Sequence, residues 1–205
     1  MNLKILIGPA CLTAALYVSA CSGVSTDVLA GRNALQTGRP HDAIGYLARA
    51  AELDPNYRTP DRVPARVLTY LGRAYYEAGH DAEARRTLEK AVSMHPDDPL
   101  AHLYFGLTLL RTGDRERGRK EIDGGLQAID DLLEYIATDR ISGFYWDPGM
   151  TLRGEVRTTL AGKLNDTALA IAAERVGRQF DEEIDRARRD ESRTRSGGSD
   201  GGGGS

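Results

Sequence analysis

Between residues 24 and 132 the apolar and small residues recur every three or four positions, the spacing of amphipathic helices. Leu68, Leu71 and Tyr75 mark one such stripe, and Ala84, Leu88 and Ala91 mark another. Glycine follows the first stripe at Ala78-Gly79, where a helix must stop and the chain reverse. The same arrangement occurs around Thr37-Gly38 and Thr112-Gly113, so the pattern predicts three helical hairpins. Gly31, Ala43, Leu47 and Ala50 of the first correspond to Gly72, Ala84, Leu88 and Ala91 of the second. In the third they become Gly106, Gly118, Ile122 and Gly125. Small residues there allow the two backbones of a hairpin to approach, and the large ones fill the space between them.

Pro55 and Pro96 close the first two units, whereas Asp130 stands at that place in the third, so its second helix is predicted to run on to about Ala137 or Thr138. A proline-rich insertion, Arg58 to Pro64, separates the first two units as a loop. Beyond residue 139 comes the aromatic run Phe144-Tyr145-Trp146. Asp147 is then placed to cap a helix with Pro148 in its first turn. Leu152, Val156, Leu160 and Leu164 form the stripe of that helix. Leu169, Ala173, Val176, Phe180 and Ile184 form the stripe of a last one, predicted to end between Asp190 and Arg195.

The motif Leu68-Thr-Tyr-Leu71-Gly72-Arg-Ala-Tyr75, with Ala84, Leu88, Ala91 and Pro96, resembles the tetratricopeptide repeat. The resemblance covers three units, 24–57, 65–98 and 99–132. It implies an all-α solenoid of about three helix hairpins over residues 24–138, with residues 139–192 as a C-terminal helical cap. Repeat arrays need such a cap to cover their last apolar face. Members of this family present a concave groove to protein or peptide partners. The groove positions of the first two units include Arg32, Gln36, Arg66, Thr69, Arg73, Tyr76 and Glu77, a mostly basic strip suited to an acidic peptide. Those of the third include Leu100, Leu103, Leu107 and Leu110, a stripe that must be covered either by the C-terminal helices or by a partner helix. The family's carboxylate clamp wants Lys and Asn where Val28 and Arg32 stand, so that ligand is disfavoured.

The first 21 residues have a different grammar. Lys4 precedes an apolar stretch from Ile5 to Val18, too short to cross a bilayer, for which about 20 residues are needed. This is the pattern of an export signal. Its end, Val18-Ser19-Ala20-Cys21, resembles the lipobox of bacterial lipoproteins, which implies cleavage before Cys21 and acylation of its thiol. Ser22, rather than aspartate, implies outer-membrane delivery by the enterobacterial rule. The expectation is an exported protein, lipid-anchored through Cys21 and facing the periplasm. At the other end, Gly and Ser dominate 193–205, a tail predicted to be disordered.

Composition narrows the function. The net charge is −3, without the basic surplus of nucleic-acid binders. Cys11 and Cys21 are the only cysteines and both lie in the leader, so the folded part can hold neither a disulfide nor a cysteine metal site. The four histidines lack a metal-binding spacing, and the acidic pairs Asp97-Asp98, Asp130-Asp131 and Glu182-Glu183 read as helix-end or solvated charges. No catalytic residue, metal or cofactor is called for. The sequence points to a membrane-anchored scaffold or adaptor for proteins of the bacterial cell envelope. Its rival is a small-ligand lipoprotein, with a pocket between groove and C-terminal helices lined by Trp146, Tyr145 and the groove arginines. A homo-oligomer through the 166–190 helix is a further expectation. Phe144, Tyr145 and Trp146 are read as an anchor for the cap, with an aromatic ligand clasp as the alternative.

Overall fold

The computed structural model describes residues 14–140 and 142–197, with the side chains of 23–140 and 143–193. The first thirteen residues of the predicted leader, the side chains of the lipobox including Cys21, and the tail beyond 197 lie outside the described residues.

Three hairpins stack in chain order: α1 (Ala14–Gln36) with α2 (Pro40–Leu53), α3 (Val67–Glu77) with α4 (Asp81–Met94), and α5 (Pro99–Arg111) with α6 (Arg115–Ala137). The second helix of each hairpin packs on the first helix of the next. Among the described residues every regular element is helical, so the fold is an all-α solenoid. α6 does run on past Asp130 to Ala137. A single 3-10 turn (Ser142–Phe144) leads to α7 (Thr151–Ala161), and a long α8 (Asp166–Gly197) closes the structure.

The three reversals are built alike. Gly38, Gly79 and Gly113 take φ of 70°, 78° and 96°, a left-handed conformation that glycine reaches without a Cβ penalty. Each glycine N–H donates to the carbonyl three residues back, and the following N–H reaches five back: Arg39 to Ala34, His80 to Tyr75, Asp114 to Leu109. This pairing satisfies the carbonyls that a helix C-terminus leaves open.

The hairpins differ in how closely they pack. A Cβ placed on Gly31 or Gly72 would meet only side-chain atoms of Leu47 or Leu88, at 2.4 Å. A Cβ on Gly106 would meet backbone, 2.6 Å from Gly118 O and from Ile122 N. Gly118 and Gly125 likewise face the backbone of α5. The third hairpin, with glycine at all three small positions, is thus packed backbone against backbone.

The C-terminal part departs from expectation in three places. α7 starts at Thr151, not at Pro148: Asp147 and Met150 have positive φ (44° and 53°) and turn the chain once more before the helix begins. Asp147 still caps it, accepting from the N–H groups of Leu152 and Arg153 at 3.0 Å each. Leu164 is outside α7, in the connection to α8, because Gly162 ends the helix. The last helix extends past Arg195 to Gly197, so Ser196 and Gly197, assigned to the tail, are helical.

Candidate functional site: a groove filled by the last helix

α8 crosses the concave face of the array. Its predicted stripe is buried as one edge: Leu169, Ala173, Val176, Phe180 and Ile184 all lie in the core. It packs on α5, where Leu100, Leu103 and Leu107 are buried and Leu110 is half-buried. Of the two ways to cover the leucine stripe, the structure shows the chain's own helix. Gly177 keeps the approach close, because a Cβ there would come within 3.1 Å of Leu103.

Over the first two hairpins the contact changes from apolar to ionic. Asp181 is fully buried and accepts from Arg32 Nη2 at 2.9 Å, Arg73 Nη1 at 3.1 Å and the Tyr70 hydroxyl at 2.5 Å. One turn on, Asp185 accepts from Arg32 Nη2 at 3.0 Å and Gln36 Nε2 at 2.6 Å. Arg73 is shared with Glu77, one turn along its own helix, at 2.7 Å. Glu174 accepts from the Tyr76 hydroxyl at 2.5 Å, and the Arg111 guanidinium lies over the Tyr76 ring, 3.5 Å from its centroid.

The electrostatics follow from the geometry. Burial alone would raise the Asp181 carboxyl, but Arg73 and Arg32, with the Tyr70 hydrogen bond, outweigh it and hold it below its ordinary value. Burial, reinforced by Asp181, pushes the Tyr70 hydroxyl well above its ordinary value, so Tyr70 is a donor at any physiological pH. Two guanidinium groups are therefore enclosed with two carboxylates, a grouping in which removing one member leaves a charge stranded away from water.

Arg32, Gln36, Arg73 and Tyr76 are thus brought together beneath α8. Arg66 and Thr69 are not. Thr69 donates to Asp98 at 2.6 Å and Arg66 to Asp97 at 3.0 Å, at the junction of the second and third hairpins. There Asp98 also caps α5 through the N–H groups of Leu100 and Ala101. Burial raises the Asp98 carboxyl despite Thr69 and Arg66. The aromatic run divides as well. Trp146 is buried (3% exposed) with its indole donating to Glu191 at 3.0 Å, Tyr145 is half-buried, and Phe144 is 80% exposed. Phe144 is no anchor, because the 3-10 turn faces it outward while the next two residues fold under α8.

Asp181, Asp185 and Glu174 went unnoticed in the sequence. Their signal was there: each adjoins the apolar stripe by one residue, so acids at 174, 181 and 185 share an edge of the buried face. Among the described residues no group of three or more His, Cys, Asp or Glu is placed to hold a metal ion, and no helix is long and apolar enough to cross a membrane.

Residues 34–103 match the sequence model of the tetratricopeptide repeat. The match takes in the second helix of the first hairpin, all of the second hairpin and the start of the third. No curated protein and no solved structure matches the chain.

Proposed function

We propose, for a chain that belongs to the tetratricopeptide-repeat family through residues 34–103, that it is a lipid-anchored adaptor of the bacterial cell envelope. Such repeats mediate protein–protein interaction. The anchor is the acyl-modified Cys21, on the periplasmic side and by preference in the outer membrane, and the partner is another protein of the envelope. The observation that carries this reading is the continuity of α1, which runs unbroken from Ala14 through Cys21 into the first hairpin. An anchor at that point has no linker and holds the stack next to the bilayer. The concave face of the array is closed by α8, so recruitment uses the faces that α8 leaves open.

Two measurements test this. Cys21→Ser should move the protein from the membrane pellet to the soluble fraction or leave it unprocessed, and an unchanged pellet with normal processing would refute the anchor. Gentle crosslinking in native membranes should join the array to a neighbouring protein, and recovery of the chain alone would refute the adaptor.

A second reading, a small-ligand lipoprotein, is favoured by a cleft of about 310 Å³ beside Trp146, lined also by Pro60, Arg62, Ile184, Arg188 and Glu191. Native mass spectrometry of the purified protein tests it: a co-purifying small molecule supports it, and the bare protein mass removes it.

A further inference from the structure

α7 and α8 form the last layer of the stack, and their outward side is an open cleft of about 630 Å³. Its floor is made of small or short side chains, Gly154 and Thr158 from α7 with Ala168 and Ala172 from α8. Open space lies over Gly154, where an added Cβ would meet nothing within 4 Å. On the α8 rim stands Ile171, 58% exposed, a large apolar side chain on the face opposite the buried stripe. Beside it Glu155 and Arg175 face each other across the cleft, with Arg175 Nε 2.5 Å from Glu155 Oε1.

We propose that a second copy of this chain docks on this cleft about a two-fold axis. The patch carries both halves of such a contact. Ile171 is a knob, and the space over Gly154 and Thr158 is a hole of matching character. A two-fold axis places each copy's knob in the other's hole, as an isologous interface requires. The charges are self-complementary in the same way. Glu155 of one copy meets Arg175 of the other, and the two in-chain pairs join into a ring of alternating sign. A partner of unlike sequence would need no such pairing of knob with hole and of acid with base on one patch. The sequence suggested self-association through the 166–190 helix; its stripe at Leu169, Val176 and Phe180 is consumed inside the chain, so the opposite edge of α8 is the one that pairs. The inference does not depend on the lipid anchor.

Sedimentation velocity of the processed protein in mild detergent is the test. The wild type should sediment as a dimer whose population rises with concentration. Ile171→Asp should weaken self-association about tenfold or more, with the helical signal unchanged and, at concentrations low enough for both proteins to be monomeric, the unfolding midpoint unchanged as well, because Ile171 is 58% exposed. Glu155→Arg and Arg175→Glu should each be monomeric alone, since each builds a patch of one sign. Mixed in equal amounts they should restore a dimer holding one of each. A wild type that stays monomeric throughout the micromolar range overturns the proposal. So does a dimer indifferent to Ile171→Asp, or a mixture of the charge variants that fails to associate.

Discussion

The two halves of the concave face meet the same helix with opposite chemistry. Over the third hairpin α8 lies on Leu100, Leu103 and Leu107, and the contact is close packing. Over the first two hairpins it presents Asp181 and Asp185 to Arg32, Gln36, Tyr70 and Arg73. The apolar half supplies burial, at about 25 cal/mol per Å² of surface withdrawn from water. The ionic half supplies register, because a slip of one residue along α8 would take both carboxylates from Arg32 and leave Arg73 with Glu77 alone. A single ligand helix can thus be held tightly at one end and specified at the other.

The largest break in this contrast is Asp181→Ala. It leaves Arg32 with Asp185 alone, Arg73 with Glu77 alone and the buried Tyr70 hydroxyl without its acceptor, and urea unfolding should show a loss of about 3–5 kcal/mol that added salt does little to change. Acid acts on the same carboxylate. Its folded-state value lies below its unfolded value of about 4, so its contribution is present above that value and is lost as pH falls through the folded one. The wild type should therefore weaken in acid more steeply than Asp181→Asn. Leu103→Ala tests the apolar half. It should cost about 3 kcal/mol through the cavity it leaves and should leave the acid response of the wild type intact. Gly106→Ala should cost about 1–3 kcal/mol by overpacking, more than Gly72→Ala, because its Cβ meets backbone rather than a leucine side chain. The smallest effect, about 1 kcal/mol, is expected for Tyr76→Phe, which loses one hydrogen bond to Glu174 at a half-buried edge. Thermal or urea unfolding of the variants side by side ranks all of these.

The hairpins were legible because their signals are local. Glycine sits where a left-handed residue is needed, small residues sit where backbones meet, and Asp130 in place of proline lets α6 continue. The location of α8 was only half legible. The leucine stripe of the third repeat demanded a cover, and the stripe from Leu169 to Ile184 offered one. The buried acids were missed because an Asp next to an apolar stripe looks solvated until its partner is known, and the partner of Asp181 is 149 residues away in Arg32. The start of α7 was missed for the opposite reason. Asp147 caps at a distance, through a turn made by two positive-φ residues, and spacing alone does not distinguish that from an ordinary cap. Phe144 was grouped with Trp146 by adjacency, yet neighbours in a turn face different ways.

The order in which the chain is made gives the bridge from α1 to α8 a further meaning. Synthesis proceeds from the N-terminus, so Arg32 is in place while Asp181 is still to come. Until the final quarter of the chain is delivered, the hairpins carry an uncovered leucine stripe and unneutralised guanidinium groups. Chain lengths that include α5 but stop short of α8 expose that stripe, as an incompletely folded intermediate does. Truncation ahead of residue 181 does not trim an appendage; it leaves a product that is never finished. The last helix is thus the step that converts a sticky nascent array into a mature one.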